Sequence, residues 1–235
     1  MQVATTGSTN ADLIALARSG GGEDGLGLRA REQTAGRGRQ GRDWASASGN
    51  LFASGMFALQ PGDPPAPTLA LVAAVALHDS MRRVLPANAA TKLQLKWPND
   101  VLIDGAKLSG ILLERTGDWI VLGIGVNVAS HPELADRATT SLHALGATID
   151  AEAFLETLAE RVADGIRHWR EHGIPAVTAI WLSHAHPAGT WLSVHLPDGE
   201  RIEGAFETLD RDGALVLRLA SGAARVIHAG DVFLI

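Results

Sequence analysis

Gly36-Arg37-Gly38-Arg39-Gln40-Gly41-Arg42 sets three guanidinium groups among three glycines within one short segment. Guanidinium forks pair with carboxylate and phosphate oxygens, and a glycine backbone can come close to a ligand, so Arg37, Arg39 and Arg42 read as an anion-handling loop. Taken alone, the same segment serves equally as a solvated basic loop or a patch for an acidic partner. Gly36, Gly38 and Gly41 also match the three-glycine dinucleotide fingerprint, but Asp43-Trp44 and a serine-rich bend follow where that fingerprint requires a helix. A P-loop is excluded, because no Gly-Lys-Ser/Thr ending is present to seat a lysine and Mg²⁺.

A second group is Lys96-Trp97-Pro98-Asn99-Asp100 followed by Lys107-Leu108-Ser109-Gly110-Ile111-Leu112-Leu113-Glu114. Lysine is scarce in this arginine-rich chain, and Lys107 opens an apolar strand, which puts a compact charge at a core-facing position. Its plainer alternative is a strand-end lysine reaching out to solvent. Asp100 can orient such a lysine or hold Mg²⁺, although an Asn-Asp pair behind a proline is also an ordinary turn. Near the N-terminus, Gly7-Ser8-Thr9-Asn10 offers two hydroxyls and an amide, groups that can ring a small neutral polar ligand or simply cap a helix. Gly123-Ile124-Gly125-Val126-Asn127 lets a backbone pass close to a ligand and ends in an amide able to meet phosphate or ribose; glycine in a strand also marks bulges.

The elements that must position these residues follow from apolar spacing. Thr9-Asn10 precede a helical pattern over Ala11 to Ala17, and glycines at 20–22, 25 and 27 break the chain before an alternating strand from Leu28 to Gln33. Asn50 to Leu59 reads as a strand ended by Pro61-Gly62-Asp63-Pro64-Pro65, and Thr68 to Val84 as a largely buried helix. Leu93 to Trp97 alternates; Ile111 to Glu114 and Trp119 to Ile124 pair through a turn at Thr116-Gly117-Asp118. Phe154, Leu155, Leu158, Val162, Ile166 and Trp169 fit one amphipathic helix from Ala151 to His172, ending near Gly173 and Pro175. Beyond Pro187, short alternating segments (Trp191–His195, Arg201–Phe206, Ala214–Leu219, Ala223–Ile227) separated by Asp-Gly and Ser-Gly turns predict a small antiparallel barrel. The boundary is placed near Pro187, giving units 1–186 and 187–235.

Composition narrows the function classes. At 235 residues, with 46% hydrophobic and 20% charged side chains, the chain can bury a good core, which predicts a globular protein. A net charge of −6 argues against nucleic acid as the main partner, since phosphate neutralisation needs a concentrated cationic face. The absence of cysteine excludes disulfides, thiolate metal sites and cysteine nucleophiles, and suits a cytoplasm. Met1 to Asn10 lacks the pattern of a secretory signal, and the apolar stretch Leu69 to Leu77 falls far short of the ~20 residues a membrane span requires.

Four segments in this order resemble the biotin protein ligase family: Gly7-Ser8-Thr9-Asn10; Gln33-Thr34-Ala35-Gly36-Arg37-Gly38-Arg39-Gln40-Gly41-Arg42-Asp43-Trp44; Lys96-Trp97-Pro98-Asn99-Asp100 with Lys107-Leu108-Ser109-Gly110-Ile111-Leu112; and Gly123-Ile124-Gly125-Val126-Asn127. Each is weak alone and specific in combination. The resemblance spans nearly the whole chain, because the family carries a small SH3-like C-terminal barrel to which Gly204, Asp212-Gly213-Ala214-Leu215 and Gly230-Asp231 correspond. It implies an α+β fold with a mixed central sheet flanked by helices, of class II synthetase-like type. It implies ATP-dependent formation of biotinyl-5'-AMP, with Mg²⁺, and transfer of biotin to a lysine of a biotin carboxyl carrier protein. By resemblance, Ser8, Thr9, Asn10, Gln33, Arg37, Gly38, Arg39 and Lys107 bind biotin, and Arg42, Trp44 and Asn127 contact the nucleotide. Lys107, Arg39 and Asp100 carry the chemistry, with metal ligands unassigned.

Two departures matter. Some relatives bear an N-terminal helix-turn-helix domain, for which a biotin segment starting at Gly7 leaves no room, so no DNA binding is expected. The third basic loop position of some relatives is Gln40 here, which alters loop charge. Relatives dimerise through an edge of the central sheet, and a homodimer is the corresponding expectation. The nearest rival is a lipoate or octanoate ligase or transferase, whose ligand lacks the ureido ring that Ser8-Thr9-Asn10 and Gln33 would suit. A non-catalytic biotin or nucleotide sensor would need neither Lys107 nor three loop arginines.

Overall fold

Alternation decides which way the central strands face. In β7 (Trp119–Val126), Ile120, Leu122, Ile124 and Val126 enter the large core, while Val121, Gly123 and Gly125 point to the opposite face. The computed structural model describes residues 1–235 and places β7 inside a seven-stranded sheet. The other strands are β1 (Gln2–Thr6), β2 (Leu26–Gln33), β3 (Leu51–Ala58), β4 (Leu93–Lys96), β5 (Asp100–Ile103) and β6 (Ala106–Thr116), in spatial order β1-β2-β3-β7-β6-β5-β4. β1 runs parallel to β2 and every other pair is antiparallel, so the sheet is mixed. α2 (Leu69–Val84) and α4 (Ala151–Ser183) pack on each other and cover one face; α3 (Ala87–Ala90) follows α2, and α1 (Thr9–Arg18) crosses the other face. The C-terminal strands β8 (Trp191–His195), β9 (Arg201–Leu209), β10 (Leu215–Arg218), β11 (Ala224–Ile227) and β12 (Asp231–Leu234) form a second, wholly antiparallel sheet in the order β11-β10-β9-β8-β12. The α+β class and the small C-terminal β unit expected from sequence are thus present.

The main core is one cluster of 43 buried residues that runs without a break from β3, β6 and β7 through α2 and α4 to Leu192, Val194, Phe206, Leu215 and Leu217 of the second sheet. A smaller cluster of Leu13, Leu28, Met56 and Val121 seats α1 on the other face. Trp97 Nε1 donates to Gly213 O at 3.1 Å, tying the two sheets together.

Several expected boundaries are corrected. The cap of α1 is Ser8, whose Oγ accepts from Ala11 N, whereas Thr9 and Asn10 already lie inside the helix. β1 was not foreseen, because the short, exposed Gln-Val-Ala-Thr-Thr run gives one weak alternation. The turn expected at Asn99-Asp100 is present as the Trp97-Pro98-Asn99 link between β4 and β5, while Asp100 itself opens β5, whose four residues are all buried. α4 does break where expected, at Gly173 (φ 73°, ψ −171°), but helix resumes to Ser183 and buries Ile174, Val177 and Trp181. Pro175 falls in the first turn of that second stretch, where its missing N–H costs no hydrogen bond. β12, also unforeseen, pairs with β8 from Asp231 to Leu234.

Candidate active site

With α2 and α4 on one face and α1 over only part of the other, the sheet leaves a cavity of about 580 Å³. Its lining includes Ser8, Thr9, Asn10, Gln33, Arg37, Gly38, Arg39, Arg42, Trp44, Asp100, Lys107 and Asn127, so residues separated by up to about half of the sequence converge there. Every residue singled out from the sequence as a site candidate is among them.

One end of the cavity is lined by hydroxyl and amide groups, with the Glu114 carboxylate behind them. Thr9 donates its backbone N–H to Gln33 Oε1 at 2.9 Å, and its hydroxyl lies 2.7 Å from Ser54 Oγ. Ser54 donates to Asn10 Oδ1 at 2.6 Å, and Asn10 Nδ2 donates to Glu114 Oε2 at 2.9 Å. Ser8, Thr9 and Asn10 are buried because the first turn of α1 lies directly on β3 and β7. Helix start and sheet together fix these donors and acceptors before any ligand arrives. Ser54 and Glu114 escaped the sequence reading. Their only signal was parity: Ser54 shares the side of β3 that faces α1, and Glu114 shares the side of β6 on which Gly110 lies.

The other end is cationic. Lys107 Nζ donates to Asp100 Oδ1 at 2.6 Å, and Lys96 Nζ sits 3.3 Å from Asp100 Oδ2. Burial alone would raise the Asp100 carboxyl; Lys107 and Lys96 overcome it and hold the group below the ordinary carboxylate range. Burial lowers Lys96, against the pull of Asp100. The register of β5 on β6, shifted between Val101 and Leu102, brings Asp100 and Lys107 together. Lys107 Nζ also lies 5.6 Å above the Trp44 ring, within reach of its π face.

The arginine loop closes over this end. Arg37 approaches Glu114 Oε1 at 3.7 Å, Arg39 Nη1 donates to Asn99 Oδ1 at 3.3 Å and to Gly230 O at 3.3 Å, and Arg42 pairs with Asp231. Desolvation pushes the Arg39 guanidinium below its usual value, partly offset by Asp231 and Asp100. Gly230 and Asp231 belong to the second sheet's approach to β12, so the C-terminal unit forms part of the cavity wall. The sequence signals the Gly230-Asp231 pair as part of the C-terminal unit and gives no sign of its place in the cavity wall.

Two local expectations change. The glycines of the sheet leave room for this chain's own side chains: a Cβ on Gly110 would lie 2.8 Å from the Trp44 ring, one on Gly125 2.5 Å from it, and one on Gly123 would overlap Asn10 Oδ1. Asn127 lines the cavity, yet its Nδ2 donates to Thr140 O at 3.0 Å and so braces the 127–140 segment rather than standing free to meet phosphate. Asp100 turns one oxygen to Lys107 and the other to Lys96.

A family model described as "Biotin/lipoate A/B protein ligase family" matches residues 8–128, and one described as "Biotin protein ligase C terminal domain" matches residues 193–235. The chain is 40% identical to a biotin–[acetyl-CoA-carboxylase] ligase of Mycobacterium tuberculosis, over 98% of this chain and 86% of the relative. This chain belongs to the biotin protein ligase family. To the ligase of the same name from Paracoccus denitrificans it is 37% identical, over 98% of both chains. Among solved structures, the biotin protein ligase of Aquifex aeolicus in complex with biotin and ATP superposes with a TM-score of 0.84 at 26% identity, covering 100% of this chain and 97% of that one. The biotin protein ligase fold therefore accounts for both the mixed sheet with its helices and the C-terminal SH3-like unit.

Proposed function

We propose that the chain activates biotin with ATP to biotinyl-5'-AMP, releasing pyrophosphate, and transfers the biotinyl group to a lysine of a biotin carboxyl carrier protein or domain. The observation that carries this reading is the convergence of Lys107, held by Asp100, with the arginine loop and the Ser8–Asn10/Gln33 network in one cavity. The neutral end matches a ureido head, which presents both donors and a carbonyl acceptor. The cationic end suits a carboxylate and a triphosphate.

In the first step a biotin carboxylate oxygen attacks the α-phosphorus and pyrophosphate departs. Two anions must approach each other, so Lys107 screens the repulsion and stabilises charge on the transferring phosphoryl group. Lys107 and Asp100 are already placed, which keeps reorganisation at the moment of reaction small. Arg37 and Arg39, with Gly38 between them, close over biotin and its mixed anhydride, excluding water that would hydrolyse it. Arg42, Trp44 and Asn127 take the nucleotide side, Trp44 offering an indole face and Asn127 holding the wall. In the second step the carrier's lysine amine attacks the biotinyl carbonyl and AMP leaves.

The lining fits Mg²⁺ as a companion of ATP: Asp100 is taken by lysines, Asp231 by Arg42 and Asp136 by Arg137, which leaves Asp43 as the one lining carboxylate without a cationic partner. Mg²⁺ bound to the phosphates would supply further charge neutralisation, with waters and phosphate oxygens as most of its ligands.

We extend the proposal to organisation and setting. Residues 1–186 form the catalytic unit and 187–235 the SH3-like one. No helix is long and apolar enough to cross a membrane, which together with the cysteine-free composition supports a cytoplasmic setting. The net charge of −6 supports a protein partner over DNA, and the exposed edge strand β1 is compatible with a homodimer.

Incubation with ATP, Mg²⁺, biotin and a carrier domain, followed by intact mass measurement, is expected to show one biotinyl addition per carrier and pyrophosphate release. No addition with biotin, but acylation when lipoate or octanoate replaces it, would turn the assignment to the related acyl ligases.

A further inference from the structure

Thr9 and Asn10 line the cavity, whereas Ser54 and Glu114 stand behind them, and the hydrogen bonds among the four leave the protons little choice of place. An ionised carboxylate and a backbone carbonyl can only accept. Asn10 Nδ2 lies 2.9 Å from Glu114 Oε2 and 3.4 Å from Leu112 O, so the amide turns its NH₂ toward both and its oxygen away. Asn10 Oδ1 then meets Ser54 Oγ at 2.6 Å, and the serine must donate its one proton there. Gly123 leaves the room for this arrangement, because a Cβ at that position would overlap Asn10 Oδ1. The 2.7 Å contact between Ser54 Oγ and Thr9 Oγ1 can therefore be filled only by the threonine proton. Gln33 Oε1, 3.1 Å from the same hydroxyl, is the longer alternative and already accepts from Thr9 N.

We propose that Glu114 is a positioning residue that sets the direction of this chain, from Thr9 through Ser54 and Asn10 to its own carboxylate. The Thr9 hydroxyl is thereby left with lone pairs alone to offer the cavity, and an oxygen that can only accept selects a ligand N–H. The inference rests on the biotin reading, whose ureido head carries such N–H groups, and adds to it a residue that touches no substrate. The second oxygen of Glu114 stands 3.7 Å from Arg37, too far for a hydrogen bond, so Asn10 is its tighter partner.

Glu114→Gln keeps the shape but offers an NH₂ where only acceptors stood. Asn10 can then reverse, with Leu112 O at 3.4 Å as the one remaining group opposing it. Its NH₂ would face Ser54, the serine proton would pass to the Thr9 contact, and the threonine proton would point at the ligand's N–H. Two donors facing each other lose the hydrogen bond that orients the head.

The test is calorimetric titration of biotin into the full-length protein and its variants, with steady-state kinetics at saturating ATP. Glu114→Gln should weaken biotin binding about tenfold, the worth of one such hydrogen bond. KM for biotin should rise by the same factor while kcat stays within about twofold, because the head is held equally in ground and transition states. Thr9→Val should weaken binding at least as much, and adding Glu114→Gln to it should cost less than about twofold more, since the hydroxyl whose polarity Glu114 sets is gone. Added to Arg37→Ala, Glu114→Gln should still cost about tenfold. Unchanged affinity in Glu114→Gln, effects that multiply with Thr9→Val, or a penalty that disappears in Arg37→Ala each overturns the inference, the last by assigning Glu114 to the loop. Should Glu114→Gln fail to fold, Ser54→Ala takes its place in the same cycle, because it cuts the chain at its middle; a loss that Thr9→Val does not mask then overturns the inference. A wild type that binds no biotin would remove the ligase reading itself, whereas biotin binding untouched by these substitutions removes this inference alone.

Discussion

Two sets of cations face the cavity, and they are held differently. Lys96 and Lys107 flank a single buried carboxylate on neighbouring strands, with side-chain exposures of 18% and 16% and 9% for Asp100. Arg37 and Arg42 stand on a loop at 44% and 42% exposure, answered by Glu114 and by Asp231 of the other sheet. Charge on paired strands is fixed before substrates bind. The loop's arginines themselves stand near solvent, so incoming phosphate or carboxylate can replace their partners. The contrast separates a permanent electrostatic floor from a loop whose cations have exchangeable partners.

That contrast can be broken at four points. The largest effect is expected for Lys107→Ala, a fall in single-turnover adenylation of about 10²–10³-fold with the fold retained, because Lys96 still neutralises Asp100. An unchanged rate would remove Lys107 from the reacting centre. Next, Asp100→Asn should lower stability by about 3 kcal/mol in urea titration, since two half-buried ammonium groups then face each other without a counter-charge. Asp100 is depressed in the folded state, so its contribution is complete above the unfolded value near pH 4 and disappears as pH falls through the lower folded value. The gap between wild type and Asp100→Asn should therefore close in acid; a gap that persists there would point to packing instead.

Arg39→Gly should leave adenylation within severalfold yet release the adenylate faster by about tenfold, the loss of one charge-assisted contact of about 1.5 kcal/mol. Labelling of bystander lysines reports it, and retention as tight as in the wild type would mean that Arg39 does not secure the loop. The smallest effect belongs to Asp231→Asn, under about 1 kcal/mol, visible as slower adenylate release at low salt, since Asp231 no longer competes with the ligand for Arg42, and vanishing at high salt. A salt-independent effect would show that the second sheet does more than hold Arg42.

Much of this site could be read from the chain because its chemistry is clustered locally. The arginines alternate with glycines, Lys107 opens an apolar run, and Ser8 to Asn10 sit at a helix start. What could not be read depends on register and on faces meeting from afar. Asp100 resembles a turn residue until a bulged pairing of β5 on β6 sets it against Lys107. Glu114 and Ser54 gain their roles only through Asn10, which approaches them from another layer. The glycines of β7 looked like openings for a ligand, whereas Trp44 and Asn10 occupy the space they leave. Helix-stop residues Gly173 and Pro175 signalled a break correctly but could not signal that Val177 and Trp181 would start a second buried stretch.

The unbroken cluster of 43 apolar residues has a thermodynamic consequence. A fragment ending near Pro187 would expose the surface that Leu192, Val194 and Phe206 now cover, and the released strands would lose their continuity with the main core. Heating should accordingly melt both sheets in one cooperative transition, and damage in the last forty or so residues should be felt as lost turnover and lost solubility together.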